Sequence, residues 1–347
     1  MAVREPRTRE LWWHGIPPRA RPEVWKRAIT NELGLTPTTY EKALARVRAV
    51  EASFTASATA ADAENVPKEI IWMRAIQRDV LHALPGLHLF QPTQPLHTQL
   101  IDLLSAYSLY RSDIGYVFGT HLPAALLLLT MPSTSDAFTC LANLLNRPLP
   151  LAFLTGDPNG TSKTYDLTLK LLESKRPKLH SHLFGPESAG GLALDPAEIF
   201  EPMIRTLFLH GCCSDPAPPK TSTPLTASFN TASFPSPSLT SPGPSKSPST
   251  SLGLSLQLVQ RLWDIISFDG DAAIIRTCGG ILAAKESALY GTREEVLRVL
   301  GWNGNIGLAE GASVGFGLTE RMGMSDDEAL VEGVVGCVRG IGKEGKK

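Results

Sequence analysis

The sequence predicts an all-α fold, and three observations carry that expectation. Apolar residues recur at helical spacing along nearly the whole chain, whereas no segment alternates apolar and polar residues long enough to call for a half-buried strand. The connections between these stretches are short, as in a packed helical domain. Of the 347 residues, 43% are hydrophobic, enough to give the helices a sizeable common core.

Residues 22–33 open the series and 38–51 follow. The next helix starts at Pro67 and carries Met73, Ile76, Val80 and Ala83 on one stripe. Lys68, Arg74 and Arg78 lie largely outside that stripe, and Pro85-Gly86 ends the helix. Stretches 97–109, 118–130, 134–144 and 162–174 come next, then 196–209, 256–267, 271–289 and 292–300. Ser325-Asp326-Asp327-Glu328 forms a capping box that opens a last helix to about Arg339. The segment 214–251 is dominated by Pro, Ser and Thr, and so little apolar surface cannot offset its ordering entropy. It is expected to be a disordered insertion that interrupts one domain spanning 11–339, with Ser236-Pro237, Ser241-Pro242 and Ser247-Pro248 as candidates for proline-directed phosphorylation. A flexible N-terminus at 1–10, a glycine-rich loop at 301–324 and a disordered tail at 340–347 complete the layout.

Composition excludes several classes. A formal net charge of -1 gives no electrostatic reason to expect nucleic acid or an acidic membrane as the main partner. The five cysteines (Cys140, Cys212, Cys213, Cys278, Cys337) form no C-x-x-C pair and no metal-ligand spacing with the histidines, which fits reduced thiols in the cytosol. Residues 1–10 are charged and lack an apolar h-region, so no secretory signal is expected. The apolar run Leu122 to Thr130 is about half as long as a membrane span needs and is expected to be a buried helix. His180 and His182 flank one serine but have no third ligand near in sequence, so a surface loop is expected and no metal. A Ser-His-Asp hydrolase lacks its G-x-S-x-G turn.

Two short stretches stand out, Ile76-Gln77-Arg78-Asp79-Val80-Leu81-His82 and Ile114-Gly115-Tyr116-Val117-Phe118-Gly119. Together they resemble the I-x-x-D-x-x-R and Y-x-Q-G motifs of the TBC-domain Rab GTPase-activating proteins. Other parts of the chain are similar to that family in the same order. Leu11-Trp12-Trp13-His14-Gly15-Ile16-Pro17-Pro18 with Arg21 and Trp25 is like its opening motif. Asp136-Ala137-Phe138, Asn143-Leu144-Leu145-Asn146-Arg147-Pro148 and Ala152-Phe153 follow, and Arg261-Leu262-Trp263-Asp264 with Asp269-Gly270-Asp271 matches the late R-x-W-D and G-D signature. The resemblance covers roughly residues 11 to 338. It implies a multi-helix domain of two helical subdomains that binds a Rab-type small GTPase in vesicle traffic. It also implies a cytoplasmic protein recruited to endomembranes through its partner. No cofactor of its own is implied, since GTP and Mg²⁺ would belong to the GTPase.

The same resemblance isolates two departures. His82 occupies the position of the family's arginine finger, and Phe118 that of its glutamine finger. An arginine supplied in trans stabilises the charge that develops on the transferred phosphate and is worth roughly 10³ to 10⁵ in rate, while the glutamine orients the attacking water. Histidine is shorter than arginine, lacks its planar fork, and is ordinarily mostly neutral at pH 7. Phenylalanine has no hydrogen-bonding group at all.

Asp79, three residues before His82 on one helix face, takes the family role of supporting the finger. Tyr116, Gly115 and Gly119 are retained, so the turn that presents position 118 is expected to be built, with Phe118 either tucked into the groove, the favoured position, or exposed as an apolar contact for a partner. Arg78 or Arg74, one and two turns before His82, offers a replacement cation, although Arg78 lies on a face where solvated arginines are common. Arg21 and Trp25 are expected to brace the N-terminal part of the fold, and Trp263 and Asp264 are expected to be structural. Three functions compete on these residues: a non-catalytic module that holds the loaded GTPase, a working activator with non-standard fingers, and a helical scaffold without GTPase binding.

Overall fold

A computed structural model describes residues 12–57, 66–210, 255–300 and 334–339, and every regular element among them is helical. The first half holds α1 (Arg21–Ile29), α2 (Pro37–Ser57), α3 (Lys68–Val80), α4 (Pro95–Tyr110), α5 (His121–Thr130) and α6 (Thr134–Leu145). The second holds α7 (Pro148–Thr155), α8 (Pro158–Lys175), α9 (Pro177–Phe184), α10 (Pro196–Arg205), α11 (Leu256–Asp269), α12 (Asp271–Ala284) and α13 (Arg293–Val299). Many of these helices begin on proline, whose fixed φ suits the first turn and whose missing N–H would be unpaired there anyway. Side-chain caps mark other starts. Ser133 accepts from Asp136 N, Asp157 from Asn159 N and Gly160 N, and Thr292 with Glu295 closes a capping box.

Most of the apolar stripes meet in one core that takes residues from α1 through α13 and from the 334–339 helical turn, and Val47, Ile70, Met73 and Leu109 form a smaller cluster among α2, α3 and α4. Helices α3, α5 and α6 pack around α4, and α7, α9 and α12 around α8. Helix α11 lies against α1, where the Trp25 and Trp263 rings sit 5.5 Å apart. Asp264, fully buried on α11, ties that contact: it accepts from Arg21 Nε (3.2 Å), Arg21 Nη2 (3.4 Å), Trp25 Nε1 (2.7 Å) and the backbone N of Ile16 (3.0 Å). Burial alone pushes this carboxyl's pKa up, and the donors around it work against that shift. Arg21 and Trp25 thus brace the fold across some 240 residues of sequence.

Several expectations need correction. Helices α7 and α9 were not foreseen: each is eight residues long and starts at a proline that reads as a breaker. His180 and His182 therefore sit on α9 and not in a surface loop. Residues 118–120 form a turn before α5, not its first turn, because Gly119 takes φ +100° and reverses the chain there. The layout proposed for 1–10, 214–251, 301–324 and 340–347 lies outside the described residues, as does the start of the last helix.

Candidate functional site

The two motifs meet where α3 ends and the loop from α4 to α5 crosses it. Helix α3 stops at Val80, and the first N–H beyond its cap, that of His82, bonds back to the Asp79 carbonyl at 3.0 Å. His82 is therefore exposed just past the helix and not within its last turn. On the other side, Arg111 forks onto Asp113 (Nε to Oδ1 3.0 Å, Nη2 to Oδ2 2.9 Å) and reaches Asn146 at 2.9 Å, stiffening the bend after α4. Gly115 follows at φ +75° with Trp72 of α3 directly over it; a Cβ there would overlap the indole ring. This close approach brings the second motif onto α3, and it requires glycine on both counts.

Tyr116 then points at Asp79. Its hydroxyl donates to Asp79 Oδ2 at 2.9 Å, and Arg78 Nε donates to Oδ1 at 2.8 Å, so a carboxylate only 3% exposed has a donor on each oxygen. A third residue joins beneath them. His121 Nδ1 lies 3.3 Å from the Tyr116 hydroxyl oxygen. Since the one hydroxyl proton goes to Asp79, this contact is a hydrogen bond only if Nδ1 carries the proton and donates, which assigns the tautomer. His121 is 1% exposed, and burial pushes its pKa down to about 4 against the opposing pull of Asp79. It is a neutral imidazole at pH 7. Burial, and then the Asp79 charge, hold the Tyr116 hydroxyl well above its ordinary pKa.

Phe118 departs from the expected position in the groove. Its side chain is 39% exposed, with its ring 5.4 Å from the His121 ring. Gly119 follows at φ +100°, and Thr206 Cγ2 would stand 3.4 Å from a Cβ there. The surface at this point thus carries Phe118, His82 and Arg78 over a buried Asp79 and His121 and a half-buried Tyr116. The other arginine considered, Arg74, lies over the Phe54 ring at 5.6 Å, and Lys68 over the Trp72 ring at 5.3 Å. Among the described residues no cluster of three or more His, Cys, Asp and Glu side chains could hold a metal. His182 Nε2 instead lies 3.2 Å from the Gly291 carbonyl, its ring 5.3 Å from Tyr290.

Sequence reasoning missed His121. Its signal was its setting, since it is the one ionisable side chain in the run His121-Leu122-Pro123-Ala124-Ala125-Leu126-Leu127-Leu128-Leu129, five residues after Tyr116. In an otherwise apolar helix such a group is buried against a partner or not tolerated.

An all-helical domain that carries these two motifs on adjoining elements defines a class. The chain belongs to the Rab-GTPase-TBC domain family, whose model matches residues 18–214. It is 32% identical over 285 residues to TBC1 domain family member 12 of Rattus norvegicus, covering 82% of this chain and 34% of that protein. It is 31% identical over 288 residues to TBC1 domain family member 14 of Homo sapiens, again covering 82% of this chain and 34% of the relative. The chain thus spans about a third of the length of these curated relatives. Among solved structures, a Chlamydomonas flagellar RabGAP TBC domain shares the fold at a TM-score of 0.59 and 16% identity, covering 96% of this chain and 83% of the other. No helix among the described residues is long and apolar enough to cross a membrane.

Proposed function

We propose that this chain binds a Rab-type small GTPase in vesicle traffic, in the cytoplasm or recruited to endomembranes through that partner, and that it stimulates GTP hydrolysis weakly or not at all. The observation that carries the second half is the pair at positions 82 and 118, histidine and phenylalanine where the family resemblance calls for arginine and glutamine. Loss of the arginine alone removes on the order of 4 to 7 kcal/mol of transition-state stabilisation. Phe118 has no group to hold a water, and its exposure suits an apolar contact with a bound protein. Family membership and the retained frame of Asp79, Gly115, Tyr116 and Gly119 support the first half.

A second function, a working activator with non-standard fingers, draws on Arg78, an exposed guanidinium held beside His82 by Asp79. GTP-hydrolysis rates against a panel of Rab proteins, beside pull-downs with each in its GTP- and GDP-loaded forms, separate the two. Nucleotide-dependent binding with little or no rate gain is the expected result, and a full activator rate at catalytic concentrations would overturn the proposal.

A further inference from the structure

The hydrogen bonds at the site form one chain that converges on the Asp79 carboxylate. His121 Nδ1 donates to Tyr116 Oη, Tyr116 to Asp79 Oδ2, and Asp79 Oδ1 receives Arg78 Nε. Asp79 and His121 are buried, Tyr116 is half-buried, and Arg78 reaches the surface with 64% of its side chain exposed. How Arg78 is held matters. Arg21 and Arg111 each engage a carboxylate through Nε and Nη2 together, whereas Arg78 uses Nε alone. Its two Nη groups, four N–H donors, have no hydrogen-bond partner among the described residues. A guanidinium fixed at its root, with its fork facing solvent, is set to grip a planar or tetrahedral oxyanion. The other cations of α3, Lys68 and Arg74, lie over aromatic rings instead.

We propose that Arg78 is the phosphate-contacting cation of this surface, reaching the nucleotide of a GTP-loaded partner where His82 cannot, with Asp79, Tyr116 and His121 as its positioning residues. The inference rests on the GTPase-binding function proposed above. It differs in what it assigns: the guanidinium has moved one helical turn back, onto the aspartate that otherwise only supports it. From there it recognises the loaded state without being carried into the transition state, which reconciles nucleotide-dependent binding with a low rate.

The test is the affinity of the full chain for a Rab-type GTPase carrying a non-hydrolysable GTP analogue or GDP, measured for the wild type, Arg78→Ala, Arg78→Lys and Arg74→Ala. Arg78→Ala is expected to weaken binding of the GTP-analogue form about tenfold, the worth of one charge-assisted hydrogen bond, and to change the GDP form by less than about twofold. Arg78→Lys keeps the charge but loses the anchored fork and is expected to recover only part of that loss; Arg74→Ala should stay within about twofold for both forms. Tyr116→Phe keeps the ring and removes the hydroxyl. It is expected to lower the GTP-analogue affinity selectively and to broaden the Arg78 Nε–H resonance in a nitrogen-proton spectrum, which a merely structural tyrosine would not do. Binding by the wild type with no loss in Arg78→Ala, or an equal loss for both nucleotide states, overturns this inference alone. A wild type that binds no member of the panel in either state overturns both it and the proposed function.

Discussion

Asp264 and Asp79 are both buried carboxylates that collect several donors, and they end differently. Around Asp264 the network is sealed. Arg21 is 8% exposed at its side chain, gives Nε and Nη2 to the carboxylate, and spends Nη1 on Gln260 at 2.8 Å. Around Asp79 the network is open, closing on a neutral histidine inside and on a solvent-facing guanidinium outside. The sealed network joins residues more than 230 apart and holds two parts of the fold together; the open one joins residues at most 37 apart and holds one side chain in place. The same pairing of charge with charge therefore serves stability where each nitrogen of the guanidinium is bonded internally, and presentation where the Nη groups are left over.

The largest expected effect tests whether the open network still supports catalysis. His82→Arg with Phe118→Gln restores both missing groups over an intact Asp79 and Tyr116, and is expected to raise partner GTP hydrolysis by about 10³ or more. The two changes should combine more than additively, as residues serving one transition state do. A double variant that still binds the loaded GTPase but gains no rate would show that the surrounding groove has diverged along with the fingers.

Removing the arginine from each network compares them directly. Arg21→Ala strands a fully buried carboxylate and is expected to cost about 3 kcal/mol or somewhat more in urea unfolding, since Trp25 and Ile16 still donate to Asp264. Arg78→Ala, at an exposed pair, is expected to cost less than about 1 kcal/mol. Comparable losses would erase the distinction drawn between brace and presentation.

The buried histidine gives the open network a pH dependence of its own. His121 has its folded-state pKa lowered from 6.5 to about 4, so between those values the unfolded chain binds a proton that the folded chain refuses. Its contribution is intact above pH 6.5 and is lost as pH falls toward 4, by about 3 kcal/mol over the window. Asp264, raised by burial, works in the opposite direction, so the difference between wild type and His121→Ser isolates the histidine. Unfolding free energies for both between pH 7 and 4 should show a stability loss in the wild type that the variant lacks; parallel curves would mean that His121 titrates normally.

The smallest effect concerns Phe118. A core phenylalanine costs about 3 to 5 kcal/mol when cut to alanine, whereas this side chain, 39% exposed, is expected to cost below about 1. The same variant should lose GTPase affinity if the ring is a partner contact. A large drop in stability would return Phe118 to the groove, where its hydrophobicity alone had put it.

Much of this was legible in the chain. The apolar period of Met73, Ile76 and Val80 gave α3 directly and Pro196 stands where a helix start was expected, whereas α4 and α8 begin on Pro95 and Pro158, ahead of the expected 97 and 162. Helices α7 and α9 were not legible. Pro148-Leu149-Pro150-Leu151-Ala152-Phe153-Leu154-Thr155 is apolar on nearly every side, so it has no period to read, and its helicity comes from being packed on α8 and α10. At the site, Asp79, Tyr116, Gly115 and Gly119 stood out through the resemblance of their two short stretches to the family's motifs, which is carried by contiguous sequence.

What the tertiary structure decided was where those pieces point. Phe118 is exposed beside the His121 ring, Arg74 is engaged by Phe54 on another helix, and His121 is neutral because it is buried next to Tyr116. The sequence by itself determined which chemical groups are present and the course of most helices, though not that His82 falls past the end of α3 or that His180 and His182 ride on α9. Which of two arginines holds the site, and which donors remain for a partner, depends on distances between elements that are far apart in the chain, and those distances exist only once the helices pack.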